Sequence, residues 1–419
     1  NKIYKTSKLN STSFIEFLLL LNFDDCGTDI RSINRAEIIK QLGSWNISNL
    51  RSRYNSLIMH LREMMLPEKS IGFPMDRDYV LAALETSIYQ AFPAPIKIDP
   101  PLNAYIERNF DSEIRSYIQK NQNKTICLQA AAGVGKTTFV NHMQNILPKE
   151  SIAILYDCYG GGSFLQHGER RHLTEVAIPQ ICNTLATECG TEWMIGRLSK
   201  EYEYWRFLNE RLEKAVSYVR QQNPSAIIAI IIDAADNSMV AANYFKEECF
   251  LQGLLNQSLP DGVRVIVTTR TERRYLIPFG DELEIFDLPP FELSESSQHI
   301  RSVFQDVTNL QCEEFHILTD KNPRLQTYML SESSSVDEML SQMKPEGKTM
   351  NSLFKEFIDG AQRQYNSIVD IEILFSALIN LPRPIPVDVL YEICDITIDA
   401  LVSISVECRR GFYIEGSFI

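Results

Sequence analysis

The run TICLQAAAGVGKTTFV, Thr125 to Val140, constrains this chain more than any other stretch. An apolar, strand-like segment, Thr125 to Gln129, enters a loop of small residues, Ala130 to Gly135. It leaves through Lys136, Thr137 and Thr138 into a helix-like segment that ends near Ile146. The spacing is that of the phosphate-binding loop G-x-x-x-x-G-K-[ST], with Ala130 in place of the first glycine. Gly133 and Gly135 let the backbone curl so that successive N–H groups converge on one phosphate. The helix that starts there adds its positive N-terminal end. Lys136 can reach the β- and γ-phosphates, and the Thr137 hydroxyl can ligate Mg²⁺. Ala130 meets the requirement of the first position if that position needs only a small side chain. The pattern therefore places Ala130, Ala131, Ala132, Gly133, Val134, Gly135, Lys136, Thr137 and Thr138 around the phosphates of ATP or ADP.

A second signal follows. Ala226 to Asn237, AIIAIIIDAADN, is a continuous run rich in β-branched residues. Such a run is expected of a strand buried on both faces, in the interior of a parallel sheet. It ends in Asp233, placed to hold the hydration shell of Mg²⁺. Asp236 follows three residues later, in position to orient or deprotonate an attacking water. A third strand, Val263 to Val267, is expected after the turn Pro260-Asp261-Gly262 and ends in Thr268, Thr269 and Arg270. An arginine at that strand end would face the γ-phosphate; a solvated arginine is the competing reading.

Composition narrows the setting. The chain has 419 residues, with 44% apolar and 23% charged residues and a net charge of −13. That balance suits a globular protein of about two to four domains. It argues against a broad nucleic-acid or anionic-membrane surface. The nine cysteines form no C-x-x-C pair and the six histidines no H-E-x-x-H, so zinc has little support. Scattered cysteines are expected as reduced thiols in the cytoplasm. The apolar runs Phe14–Phe23 and Ala226–Ala235 are too short to span a bilayer. Since it starts at Asn1 and stops at Ile419, the chain is expected to be a piece of a longer protein.

The remaining segments order around these signals. Residues 1–92 read as a helical connector, with stripes such as Leu50, Tyr54, Leu57, Ile58 and Leu61. Ala91 to Pro101, with its prolines, reads as a linker, followed by a helix from about Leu102 to Lys120. A strand over Ser151–Tyr156 runs into DCYGGGSF. There Asp157 and Ser163 are candidate site residues against the alternative of a flexible loop, and His172 reads as structural. Helices are expected over 174–189, 201–222 and 241–256 and a strand over 283–288. Another helix would be capped by Ser294, and a helical region would be broken at Asn322-Pro323-Arg324. Helices near 371–381, 388–394 and 398–406, then Arg409-Arg410-Gly411 and short strands at 412–414 and 417–419, outline a winged helix.

With AAAGVGKTT at 130–138, IIIDAADN at 230–237, VIVTTR at 265–270 and NPR at 322–324, the chain resembles STAND-class P-loop ATPases, the class that holds NB-ARC and NACHT switches. The resemblance implies an α/β fold. Its parts would be an N-terminal helical linker (1–92), a P-loop NTPase parallel-sheet core (93–290), a helical lid subdomain (291–365) and a winged-helix-like segment (366–419). It implies that Arg270 senses the γ-phosphate and that Pro323 packs on the adenine. More narrowly, DCYGGGSF, RRH at 170–172, IDAADN at 232–237, TTRTER at 268–273 and NPRLQ at 322–326 resemble the ATPase core of bacterial Avs (AVAST) antiviral proteins. Such proteins imply a cytoplasmic ATP/ADP switch with Mg²⁺. It would self-associate when a sensor beyond these residues meets a viral protein, and would activate an attached effector. Neither a membrane nor nucleic acid is an expected partner of these residues. Asn237 stands where a glutamate would close the Asp-Glu pair, which implies slow hydrolysis. The alternatives are a mechanical ATPase of the AAA+ type and a nucleotide-locked scaffold.

Overall fold

The computed structural model describes residues 87–98, 105–120, 125–194, 198–278, 283–343, 350–365, 370–381 and 385–407, with a short helical piece within 55–62. Most of the expected N-terminal connector lies outside the described residues, as does the expected hairpin at 412–419 with Arg409 and Arg410.

Strands β1 (Thr125–Ala130), β2 (Ile152–Asp157), β3 (Ile228–Asp233), β4 (Val263–Arg270) and β5 (Leu283–Asp287) form one parallel sheet in the order β2-β3-β4-β1-β5. β3 is buried along its whole length between β2 and β4, as its apolar run requires. Side chains alternate across the pleat, so each strand supplies two cores. On one face Ile126, Leu128, Ala229, Ile231 and Ile266 pack with α1 (Asn109–Lys120) and α2 (Lys136–Ile146) through Ile114, Ile118, Val140 and Met143. On the other, Ile228, Ile230, Ile232, Val265 and Val267 meet α3 (Thr174–Cys189) and α4 (Glu201–Gln222) through Ile178, Leu185, Leu208 and Leu212.

Several boundaries differ from the sequence reading, each for a local reason. The helix expected from Leu102 begins at Asn109, after Tyr105–Arg108 without helix. The helix expected over 241–256 is two, α5 (Ala235–Phe245) and α6 (Phe250–Leu255), because Lys246 adopts a left-handed conformation (φ 58°) that ends the first. Asp236 therefore lies in the first turn of α5. Ser294 is inside α7 (Leu293–Val303). The cap is Glu292, whose N–H donates to Glu295 Oε2 at 2.8 Å.

Helices α7, α8 (Asn309–Leu318), α9 (Pro323–Glu332) and α10 (Val336–Met343), in the segment expected as a lid, enclose Ile300, Phe315, Leu325 and Met339. A further cluster, around Ala361, Leu374, Leu390 and Leu401, joins α11 (Met350–Tyr365), α12 (Ile371–Asn380), α13 (Val387–Cys394) and α14 (Ile398–Glu407). Among the described residues no helix is long and apolar enough to cross a membrane.

The DCYGGGSF loop is a structural bolt. Asp157 Oδ1 accepts from the N–H groups of Tyr159 and Gly160, both at 2.9 Å, and Oδ2 accepts from Lys97 N at 3.1 Å. Arg171, 1% exposed, donates to Asp157 O, Glu169 Oε2 and Pro95 O, each at 2.9 Å. Ser163 hydrogen-bonds Glu169 and the carbonyl of Gly160. His172 is buried, with Nε2 2.7 Å from Glu247 and its ring stacked on Phe245. Residues 91–97 of the segment read as a linker thus form a strap: Asn183 Nδ2 donates to Ala91 O, and Ala94 N donates to Gln180 Oε1. A buried charge left without its partner costs several kcal/mol. Arg171→Ala is therefore expected to lower folding stability by about 3–5 kcal/mol, read as a fall in the urea midpoint. A loss within the range of a surface substitution would contradict the bolt.

Candidate functional site

Because the strands are parallel, their carboxyl ends share one edge. The register sets Ala130 beside Arg270 and Asp157 beside Asp233, with β4 lying between β1 and β3. Arg270 therefore leaves the sheet between the phosphate loop and Asp233.

The loop itself is held from outside. Gly133 and Gly135 have φ of 81° and 98°, which only glycine adopts without strain. Asn322 Nδ2 donates to Ala132 O at 3.3 Å, Arg324 N to Gly133 O at 3.2 Å, and Arg108 Nη1 to Val134 O at 3.2 Å. Across a trans peptide the N–H points opposite to the carbonyl. Three outward carbonyls thus turn the N–H groups of Gly133, Val134 and Gly135 inward, as a phosphate nest requires. Lys136 Nζ bridges the loop, donating to Ala130 O at 2.7 Å and Ala131 O at 2.9 Å. Burial pushes its pKa down, and the charges of Asp236 and Asp233 oppose that shift. Thr138 lies in the first turn of α2, and Ala130 is the buried last residue of β1 rather than a loop residue. A strand end needs no glycine, which accounts for the departure from the motif.

Asp233 accepts from both flanking hydroxyls, Thr137 Oγ1 at 2.8 Å and Thr268 Oγ1 at 2.6 Å. Burial pushes its carboxyl above the ordinary range, against those two hydrogen bonds. Thr268 Oγ1 also accepts from Ala234 N at 2.7 Å. Ala234 is left-handed (φ 53°), a strained conformation for alanine that swings the chain directly into α5. That turn brings Asp236 back over the strand end. Its Oδ2 is buried and accepts no hydrogen bond among the described residues; Arg273 Nη1 stands 3.5 Å away. Burial raises the Asp236 carboxyl, and the cations Arg270, Arg273 and Lys136 pull it back.

The donor set fits Mg²⁺. A threonine hydroxyl and a carboxylate 2.8 Å apart are hard oxygens, and Mg²⁺ takes only one or two protein ligands beside water and phosphate. Among the described residues no cluster of three or more His, Cys, Asp or Glu side chains suits an all-protein metal cage. Pro323 opens α9 as its first residue, a position where its missing N–H costs nothing.

Sequence reasoning missed the residues that brace this site. Asn322 belongs to the NPR signal, and its amide donates to a carbonyl in the phosphate loop. Arg108 and Thr268 act across long chain separations that leave no local pattern. Two left-handed residues in succession, Asp320 (φ 48°) and Lys321 (φ 58°), aim Asn322 at the loop. A Cβ at Gly133 would lie 2.8 Å from Asn322 Oδ1. Gly133→Ala would combine that clash with about 1–2 kcal/mol of backbone strain. It is expected to weaken ATP binding about tenfold, measured by titration calorimetry; unchanged binding would show the nest tolerates a side chain.

No curated protein gives a significant match. Among solved structures, a Walker-type ATPase of Pyrococcus abyssi aligns at 13% identity and a TM-score of 0.43, covering 77% of this chain and 95% of that one. A STAND protein with a tetratricopeptide repeat sensor from Pyrococcus horikoshii aligns at 18% identity and a TM-score of 0.35, over 77% of this chain but 42% of that one. Drosophila ORC bound to DNA aligns at 14% identity and a TM-score of 0.35, over 70% and 83%. Residues 124–307 match the NACHT domain family. The match takes in the phosphate loop, Asp233, Asp236 and Arg270, so that this stretch, on the parallel sheet of a P-loop NTPase fold, is similar to NACHT domains.

Proposed function

We propose that this chain is the ATP-binding and ATP-hydrolysing switch of a STAND signalling protein. The observation that carries the reading is the lid seated directly on the phosphate loop. Asn322 and Arg324 hold the carbonyls of Ala132 and Gly133, so the shape of the nest and the position of α9 are one mechanical unit. Occupancy of the nest is then felt by the lid and by the helices beyond it.

The chain's residues divide the chemistry. The inward N–H groups of Gly133, Val134 and Gly135, with Lys136, hold the phosphates. Thr137 and Asp233 would hold Mg²⁺, which when bound supplies positive charge against the β- and γ-phosphate oxygens. Asp236 accepts a proton from water as the water oxygen bonds to the γ-phosphorus and the bond to the ADP oxygen breaks. Arg270, rising between β1 and β3, faces the terminal phosphate. Pro323 packs on the adenine, the role that the NPR resemblance to NB-ARC switches implies. Arg270→Ala is expected to weaken ATP binding roughly ten- to a hundredfold while ADP binding changes little. Equal loss for both nucleotides in calorimetry would remove Arg270 from the γ-phosphate.

The finer reading is a cytoplasmic antiphage switch of the Avs kind. Detection of a viral protein by a sensor elsewhere would license ATP binding, self-association and activation of an attached effector. The motifs DCYGGGSF, TTRTER and NPRLQ support it. Mass photometry of the protein with its sensor region, with ATP and then ADP, with and without candidate phage proteins, tests it. Assembly that needs both ATP and a phage protein is the expected result. Turnover stimulated by DNA or unfolded protein, without assembly, would favour a mechanical ATPase instead.

A further inference from the structure

Arg273 lies in the turn Thr271–Leu276, after β4, and has no part in the roles above. Its Nη1 reaches two neighbouring residues of α5: Asp236 Oδ2 at 3.5 Å and Asn237 Oδ1 at 3.3 Å. The Asp236 side chain is 2% exposed, while that of Arg273 is 35% exposed, so the cation comes to the carboxylate from the rim of the site. An isolated buried carboxylate is costly unless a cation accompanies it. Asn237 supplies the guanidinium with a neutral acceptor on the adjacent residue. A second acid there would compete with Asp236 for the same cation.

We infer that Arg273 is the positioning residue of Asp236, clamped on Asn237 and holding the Asp236 carboxylate charged and fixed beside the phosphate loop. The inference deepens the proposed role of Asp236 in water activation and rests on that reading for its catalytic consequence. It also explains Asn237. The residue that departs from an Asp-Glu pair is the second anchor of the guanidinium. The charged groups that act on Asp236 are Arg270 from β4, Arg273 from the turn and Lys136 from α2. Of these, Arg273 alone forms an ion pair with it among the described residues.

The test reads the charge of Asp236 through binding as well as through chemistry. A protonated Asp236 repels the γ-phosphate less. The affinity for a β,γ-imido ATP analogue relative to ADP should therefore rise as pH falls through the Asp236 titration. In Arg273→Ala that inflection is expected to move up by about one pH unit, and in Arg273→Lys to return toward wild type. Arg273→Gln serves as a second neutral variant should alanine impair folding. In Asp236→Asn the inflection should vanish. Single-turnover cleavage of radiolabelled ATP across the same pH range should show its acid limb displaced in parallel, with affinity at high pH within about twofold of wild type. An inflection unmoved in both neutral variants, but absent in Asp236→Asn, would overturn the inference and leave the role of Asp236 standing. An inflection that follows Arg273, with Asp236→Asn cleaving at the wild-type rate, would support the clamp and remove Asp236 as the base. An inflection that persists in Asp236→Asn belongs to another group and overturns the inference.

Discussion

Lys136→Ala is expected to lose roughly ten- to a hundredfold in ATP affinity, the worth of a charge-assisted contact to phosphate of about 1.5–3 kcal/mol. The structure adds a second loss. Lys136 shares its surroundings with two buried carboxylates, Asp233 and Asp236, whose charges act on it directly. Removing the ammonium exposes an incoming triphosphate to both acids with less to offset them. Its bonds to Ala130 O and Ala131 O also hold the entrance of the loop. The variant should therefore bind ADP poorly as well, fail to turn over, and remain monomeric under conditions that assemble the wild type. Calorimetry with both nucleotides and sizing by mass photometry check this together. An affinity within twofold of wild type would mean the phosphates lie elsewhere.

Asp236→Ala should fail in a different way. General-base assistance contributes typically about 10²–10⁴-fold in rate, so cleavage measured in a single turnover should slow by that order. Affinity for ATP should hold or improve, because a buried negative charge near the triphosphate is gone. A switch that resets by hydrolysis would then stay assembled for longer. The expected outcome is an Asp236→Ala protein that binds ATP, cleaves it slowly and oligomerises with its trigger at least as well as wild type. Should it bind ATP yet never assemble, cleavage itself would be a step in assembly, and the proposed order of events would fall.

The parts of this site that a sequence makes legible are those with local grammar. The phosphate loop has fixed spacing, and β3 announces itself by an unbroken apolar run, rich in β-branched residues, ending in Asp233. Arg270 is found because it ends the strand that follows the Pro260-Asp261-Gly262 turn. The parallel sheet follows from such runs alternating with amphipathic helices. Asp236 is legible as an acid near Asp233, but not its place in a helix, since that depends on the left-handed Ala234. Arg108, Thr268, Arg273 and Asn322 are not legible as braces. Each acts on a residue brought near only by the fold: Asn322 and Ala132 are 190 residues apart. The ties of residues 91–97 are not legible for a related reason. Prolines forbid helix and ladder bonds, but they do not forbid side chains elsewhere from pinning an extended strap through its remaining carbonyls and N–H groups.

That strap has a mechanical consequence. Its ties, at Ala91 O, Ala94 N, Pro95 O and Lys97 N, are strung along the chain direction and anchor to α3 and to the loop after β2. A pull on the chain ahead of residue 87, directed along the strap, loads these ties together as shear. A pull directed away from the sheet would break them one at a time, as in peeling. The last tie ends on Asp157, whose strand is the sheet edge paired with the strand of Asp233. Tension along the strap therefore arrives one strand from the carboxylate that faces Thr137.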